Sequence, residues 1–291
     1  MIPSDVLKKI KALEIKTRRI VTTTLSGEYH SVFKGRGISF SEVREYQPGD
    51  DIRLIDWNVT ARTGMPHIKL FEEERELTVL IMLDCSGSGS FGTDLQTKIE
   101  YSAEIAAVLG FSAVRNNDRV GLILFTDTVE LFIPPKKGKS HMFRILRDIY
   151  YFQTKGKGTS ISTAVDYMMR MTNKKAIVFL ISDFMDSNYE KSLRTAAKKH
   201  DLVPILVEDP AEQILPSSGL VVLKDAETGN EIVLDTSAKD LRAKYKNICL
   251  ARQKQLDRFF KSINTCLIRA AVSGSYITPL MRFFKLRAKR Y

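Results

Sequence analysis

The stretch from Glu76 to Ser90, E-L-T-V-L-I-M-L-D-C-S-G-S-G-S, decides the fold of this chain. Its residues 78–83 form a continuous run of aliphatic and β-branched side chains, which is typical of a strand buried on both faces of a parallel sheet. The run ends at Asp84, and Ser86 and Ser88 follow in a loop rich in glycine and serine. Because open α/β sheets bind ligands beyond the carboxyl ends of their strands, this loop is the first candidate site.

The donor atoms of this loop indicate which ion it could bind. Asp84, Ser86 and Ser88 offer only hard oxygen atoms, which suit Mg²⁺ better than Zn²⁺. One short loop cannot complete an octahedral shell. The remaining oxygen atoms would have to come from other loops, from water or from a partner molecule.

Further strands and helices alternate after this loop. The pattern predicts strands at 119–125, 129–133, 175–182, 202–207 and 266–271, and a hairpin at 221–223 and 231–234. It predicts helices at 94–114, 140–152, 161–169, 189–200 and 240–263. The strand at 175–182 ends at Asp183, which repeats the arrangement of the first strand and Asp84. We therefore predict an α/β fold with a doubly wound, mostly parallel sheet.

The segments before the first strand are less regular. Ser4 is positioned to cap a helix over residues 5–21. Residues 51–57 alternate charged and apolar side chains and predict a half-exposed strand, with Trp57 as a packing anchor. The many arginine and acidic residues of 35–74 fit either a metal or catalytic carboxylate site or a network of Arg/carboxylate pairs that pins an N-terminal flap to the domain.

Composition limits the class of protein. The chain has 291 residues, of which 44% are hydrophobic, and no run approaches the roughly 20 apolar residues of a membrane span. The N-terminus lacks the apolar region of a secretory signal, and the three cysteines show neither a disulfide framework nor a zinc pattern. We expect a cytoplasmic protein with reduced cysteines, the surface of the inner membrane being an alternative location.

The net charge of +11 is concentrated at the C-terminal end. Residues 239–291 contain 14 Lys or Arg and two acidic residues. A basic tail of this kind could contact an anionic membrane surface, nucleic acid or an acidic protein face, or simply be a solvated helix face. Nucleic acid is the least favoured partner, since the rest of the chain has no excess of positive charge.

The motifs of three loops resemble the von Willebrand factor type A fold. That family combines D-x-S-x-S on one loop with a threonine on a second and an aspartate on a third, and here Asp84, Ser86, Ser88, Thr159 and Asp183 match in order. The resemblance implies a site for Mg²⁺ or another divalent cation, completed by an Asp or Glu of a partner protein. As alternatives, the serine hydroxyls could satisfy loop backbone groups, and Thr159 could be a helix N-cap.

A narrower resemblance covers roughly residues 35–209. The motifs G-R-G-x-x-F, E-V-R-x-Y-x-P-G-D-D-x-R-x-I-D-W and A-R-x-G, followed by the D-x-S-x-S strand, are similar to the bacterial domain-of-unknown-function family fifty-eight. The resemblance implies partnership with MoxR-type AAA+ ATPases in chaperone-like assembly of other proteins, and no enzymatic activity. It divides the chain into an N-terminal helical segment (1–34), a flap (35–76), a von Willebrand A-like domain (77–237) and a basic extension packed on the core (238–291).

The same residues do not match the motifs of common enzyme classes. A serine hydrolase needs G-x-S-x-G, but Asp84 stands two residues before Ser86. Gly138-Lys139-Ser140 ends like a phosphate-binding loop, yet prolines precede it. The alternative to an interaction module is a metal-dependent phosphoester hydrolase using Asp84 and Asp183, which would need a general base. An adaptor that binds membrane or nucleic acid through the basic tail is the third possibility.

Overall fold

Strands and helices alternate along most of the chain. The computed structural model describes residues 12–17, 20–21, 29, 39–72, 76–90, 96–224 and 229–289. The strands are β1 (Ser39–Glu45), β2 (His67–Glu72), β3 (Thr78–Asp84), β4 (Arg119–Phe125), β5 (Val129–Lys136), β6 (Ile177–Ser182), β7 (Asp201–Glu208), β8 (Leu220–Lys224), β9 (Glu231–Asp235) and β10 (Ile268–Ala271). The helices are α1 (Trp57–Thr63), α2 (Lys98–Arg115), α3 (Lys139–Tyr151), α4 (Ile161–Met171), α5 (Glu190–Lys199), α6 (Lys239–Ser262) and α7 (Ile277–Ala288).

A six-stranded sheet in the order β10-β7-β6-β3-β4-β5 forms the centre of the larger of two units. Neighbouring strands are parallel except for β4 and β5. The predicted α/β class with a mostly parallel sheet is therefore confirmed. Strand β3 pairs with β4 on one side and β6 on the other, so Asp84 and the residues after β6 reach the same edge of the sheet.

Both faces of β3 are covered, as its uninterrupted apolar sequence requires. Leu80 and Met82 belong to a buried cluster that also contains side chains of α4, α5 and α6. Helix α2 packs on the opposite face, and its small residues permit a close approach to the sheet. A β-carbon added at Gly110 would lie 3.6 Å from Cδ1 of Ile81 and would overlap the side chain of Met142 on α3.

Residues 33–77 form the second unit, and residues 1–32 and 78–291 form the first. In the second unit β1 and β2 pair antiparallel, and the predicted strand at 51–57 is wrong. Asp51 instead caps a short 3-10 turn, and Asp56 caps α1 by accepting hydrogen bonds from the backbone of Asn58 and Val59. The alternation of charged and apolar residues was caused by helix caps, which favour Asp before the first turn.

Most of the remaining described segments agree with the elements predicted from the sequence. β8 and β9 form the predicted hairpin, and α6, β10 and α7 complete the chain. Near the N-terminus, residues 12–17 and 20 are helical, whereas Ser4 lies outside the described residues. Trp57 was expected to anchor packing, but its side chain is 70% exposed. Among the described residues, no helix is long and apolar enough to cross a membrane.

Candidate functional site

Asp84 lies at the end of β3 and is almost fully buried. Its Oδ1 accepts a hydrogen bond of 3.0 Å from the backbone N–H of Ser86, and its Oδ2 accepts one of 2.6 Å from the hydroxyl of Ser182 on β6. The chain leaves the sheet immediately afterwards, because Gly87–Ser90 forms a short 3-10 turn. The carboxylate is thus fixed from two sides before any ligand is considered.

The hydroxyl groups of the two serines after Asp84 lie close together. The hydroxyl oxygen atoms of Ser86 and Ser88 are 3.1 Å apart, and the side chain of Ser88 also hydrogen-bonds Asp183. Within the described part of the chain, these residues border a cleft of about 20 Å³, large enough for one water molecule or one ion. The cleft is lined by Asp84, Ser86, Ser88, Gly89, Lys98, Ile99, Ser102, Ser182, Asp183 and Val207.

Asp183 reaches this cleft from the end of β6, as the sequence predicted. Its Oδ1 accepts a hydrogen bond of 3.0 Å from the backbone of Met185. Its Oδ2 accepts one of 2.9 Å from the ammonium group of Lys98, at the start of α2. The same ammonium group lies 2.6 Å from Oε1 of Glu212, in the turn that follows β7.

The environment separates the two aspartates electrostatically. Burial, together with the negative charge of Asp183, raises the pKa of Asp84 to about 6. Burial also acts to raise the pKa of Asp183, but the ammonium of Lys98 and the hydrogen bonds from Ser88 and Met185 lower it below its ordinary value. Near this cleft, Asp183 and Glu212 share the ammonium of Lys98, whereas no ion pair joins Asp84 to a cation among the described residues.

The loop that carries Thr159 is fixed against the Asp84 loop by backbone contacts. Gly87 N–H donates to the carbonyl oxygen of Lys157 over 2.9 Å. Oε1 of Glu130 accepts from the backbone N–H groups of Lys155 and Gly156 at 3.1 and 2.8 Å. Thr159 itself is half-buried in this loop and is not one of the described residues that line the cleft.

The helix after this loop begins at Ile161, and its N-cap is Ser160. The alternative role suggested for Thr159, a helix cap, therefore belongs to its neighbour. Thr159 stands two residues after Lys157, whose carbonyl holds the Asp84 loop, so the two loops are adjacent. Its hydroxyl stays a predicted member of the site.

Three acidic residues in the described part of 35–74, namely Asp50, Asp51 and Asp56, have structural partners. Arg44 makes a bidentate ion pair with Asp50, in which the two N–O distances are 2.8 and 2.7 Å. Asp51 and Asp56 are caps, and Asp56 also lies 3.6 Å from the ammonium of Lys69. These contacts give the carboxylates a structural role within the segment, and the pinning of this flap to the domain by ion pairs stays a prediction.

Sequence reasoning missed three residues of the site: Ser182, Lys98 and Glu212. Ser182 is the last residue of β6 and was counted only as part of an apolar strand. The D-x-x-E spacing of Asp209 and Glu212 indicates the capping box that the structure contains, but it does not indicate the contact of Glu212 with Lys98. Lys98 carries no motif, and its sequence neighbours do not distinguish it from a surface lysine.

Part of the basic tail is neutralised internally. Arg269 on β10 lies 2.8 Å from Asp257 and 3.7 Å from Glu208, and Arg287 on α7 pairs with Asp201. These contacts reduce the charge that the tail can offer to a partner. Binding of the tail to an anionic membrane surface stays a prediction.

Comparison with known proteins gives the following similarities. The family model described as "Protein of unknown function DUF58" matches residues 42–255. The chain is 28% identical over 285 residues to the uncharacterized protein Rv1480 of Mycobacterium tuberculosis, an alignment covering 96% of this chain and 89% of that protein. It is 28% identical over 109 residues to the uncharacterized protein YeaD of Bacillus subtilis, covering 38% of this chain and 25% of that protein. Among solved structures, the conserved hypothetical protein BatB of Bacteroides thetaiotaomicron has a TM-score of 0.49 and 19% identity, over 73% of this chain and 99% of that one.

Proposed function

Since this chain belongs to the DUF58 family of proteins of unknown function, we propose that it is a Mg²⁺-dependent protein-interaction module of von Willebrand A type. Its proposed metal residues are Asp84, Ser86, Ser88, Thr159 and Asp183. One observation carries the proposal. The carboxylates of Asp84 and Asp183, from adjacent parallel strands, border one small cleft together with the hydroxyls of Ser86 and Ser88.

The chemistry of this cleft fits a divalent cation. All its candidate donors are oxygen atoms, which Mg²⁺ prefers. The neighbouring carboxylates also leave an excess of negative charge, which a cation would relieve. Ser182 and the backbone of Ser86 hold the carboxylate of Asp84 in place, so little reorganisation would be needed on binding. A bound Mg²⁺ would supply an electrophilic centre that accepts an oxygen ligand from outside the chain.

The proposed partner is a protein that presents an Asp or Glu side chain to the ion. A site with few directly bound charged ligands leaves the ion electrophilic, so that a carboxylate is its natural external ligand. The resemblance of the motifs to the family suggests a MoxR-type AAA+ ATPase as this partner, and chaperone-like assembly of other proteins as the context. This chain would then act as the adaptor.

A pull-down with purified proteins tests this function. The full chain is immobilised, and a MoxR-type ATPase from the same organism is added with either Mg²⁺ or EDTA. We expect capture with Mg²⁺ and its loss with EDTA, and we expect D84A and D183A to abolish capture. The matched control is D166A, which removes an exposed aspartate of α4 and should capture normally.

Capture that is unaffected by EDTA and by both cleft substitutions would overturn the proposal. The alternative, a metal-dependent phosphoester hydrolase, needs a general base. One additional carboxylate near the cleft, Glu212, is ion-paired with Lys98. Mg²⁺-dependent hydrolysis of p-nitrophenyl phosphate that is lost in D84A but kept in D166A would favour the enzyme.

A further inference from the structure

Lys98 is in an unusual environment for a lysine. It is 3% exposed, and no other lysine in the described part of the chain is buried. Lysine is almost never buried unless its charge is paired, because the loss of hydration is costly. Here the pairing is double, since the ammonium contacts Asp183 and Glu212 at 2.9 and 2.6 Å.

The helix to which Lys98 belongs does not favour its charge. Lys98 is the first residue of α2, directly after the N-cap Thr97. The N-terminus of a helix carries a partial positive charge and favours anions. The two carboxylates, rather than the helix, therefore account for the buried ammonium at this position.

The ammonium also lies where a bound cation would act. It contacts Oδ2 of Asp183, a proposed metal residue, and Lys98 lines the same cleft as Asp84, Ser86 and Ser88. A divalent ion bound beside Asp183 would repel an ammonium held on the same carboxylate. Glu212 does not line the cleft, so it offers the ammonium a carboxylate that an ion in the cleft need not use.

We propose that Lys98 is a tethered internal cation that competes with the divalent ion for Asp183. The ammonium neutralises Asp183 when the ion is absent, and ion binding leaves the ammonium on Glu212 alone. This inference rests on the proposed function, because it concerns the same metal site. Lys98 would thereby set the ion affinity of the site without being a ligand.

Movement of the Lys98 ammonium from Asp183 to Glu212 would also affect α6. The carbonyl oxygen of Glu212 accepts a 2.6 Å hydrogen bond from the hydroxyl of Tyr245, and the carbonyl oxygen of Asp183 accepts one of 2.9 Å from Arg252. Both donors are on α6. A shift of the ammonium between Asp183 and Glu212 therefore acts on two segments that this helix holds.

Isothermal titration with Mg²⁺ alone tests the competition. The wild-type chain is compared with K98M, which keeps the length of the side chain but removes its charge. We expect K98M to bind Mg²⁺ at least ten-fold more tightly, because Asp183 no longer has an internal cation. The control is K174M, which removes an exposed charge before β6, at the opposite edge of the sheet, and should bind like the wild type.

A double-mutant cycle separates competition from a general change in charge. E212Q removes the second anchor of the ammonium and leaves it on Asp183, so Mg²⁺ binding should weaken at least three-fold. In the K98M background the same substitution should have a much smaller effect, because no ammonium remains. E208Q removes a nearby carboxylate that does not contact Lys98 and should weaken binding less than E212Q does.

The outcomes are distinct. If the wild type binds Mg²⁺ and K98M binds it equally well or more weakly, the role of Lys98 is wrong and the metal site stands. If neither protein binds Mg²⁺ or Mn²⁺, the proposed function is wrong and this inference fails with it. Should K98M not fold, the side-chain ¹⁵Nζ resonance of Lys98, assigned with K98R, provides the measurement in the wild type. It should shift on saturation with Mg²⁺, and an unchanged resonance overturns the proposal.

Discussion

Asp56 and Asp84 have the same small solvent exposure, 9%, yet their surroundings shift their pKa values in opposite directions. Asp56 caps α1 in the unit of residues 33–77, where hydrogen bonds from the backbone of Val59 and Asn58 and the charge of Lys69 lower its pKa. Asp84 lies at the edge of the six-stranded sheet, where burial and the charge of Asp183 raise its pKa to about 6.

The difference shows how a structural carboxylate can be told from one that could hold an ion. Asp56 already has its donors, because a helix N-terminus supplies backbone N–H groups and a positive partial charge. Asp84 has two donors but also faces another carboxylate, so negative charge remains in excess. A cation at the sheet edge would gain from this excess, whereas one at the α1 cap would have to displace existing partners.

The largest expected effect is a loss of folding stability in metal-free buffer, caused by a substitution at the sheet edge. D183N removes the charge that pairs with the buried ammonium of Lys98. Breaking a buried ion pair is strongly destabilising, but Glu212 keeps one contact, so we expect a loss of about 2–3 kcal/mol in the free energy of unfolding. Urea unfolding in EDTA measures it.

D56N is the matched control for that experiment. Asparagine is as good an N-cap as aspartate, so D56N should lower the urea midpoint only slightly, through loss of the small contribution that the lowered pKa of Asp56 makes. The comparison would fail if D56N lowered the midpoint as much as D183N did. In that case the α1 cap, and not the sheet edge, would depend on charge.

The second prediction concerns the loop of Thr159. A β-carbon at Gly156 would overlap Oδ1 of Asp127 and Oγ1 of Thr126, so G156A should displace the loop. Overpacking of this kind costs about 1–2 kcal/mol. We also expect the rise in melting temperature caused by Mg²⁺ to be reduced, because Thr159 is three residues away.

Gly64 provides the comparison in the other unit. It ends α1 with a φ of 75°, and a β-carbon there meets nothing within 4 Å. G64A should therefore be destabilising through backbone strain alone and should leave the Mg²⁺ effect intact. An unchanged Mg²⁺ effect in G156A as well would show that this loop does not contribute to the site.

These contrasts explain what the sequence could predict. The buried strand β3, the parallel sheet and the approach of Asp84 to Asp183 follow from short-range patterns and from the rule that parallel strands present their carboxyl ends at one edge. Lys98 and Glu212 contact each other although they are 114 positions apart in the sequence. The periodicity of the sequence does not indicate such a contact. Residues 51–57 were mispredicted because caps and strands both place charged residues between apolar ones.

The substitution D84N is expected to cause the smallest change in the free energy of unfolding. Full ionisation of Asp84 in the folded state opposes folding by about 3 kcal/mol, since its pKa is raised from 3.8 to about 6. Asparagine removes this charge but also perturbs the hydrogen bond from Ser182. We therefore expect a net gain of about 1 kcal/mol in metal-free buffer at pH 7, together with loss of stabilisation by Mg²⁺.

The pH dependence tests whether Asp84 is the cause. Because its folded pKa lies above its unfolded pKa, its contribution to stability is complete below pH 3.8 and is lost as the pH rises to about 6. The advantage of D84N over the wild type should thus grow across this window and level off above it. D56N should show the opposite sign, since the lowered pKa of Asp56 contributes stability that is lost as the pH falls. Urea unfolding curves in EDTA at several pH values measure both differences. Parallel curves for D84N and D56N would mean that the two carboxylates experience the same environment, and the argument for a cation at the sheet edge would lose its electrostatic basis.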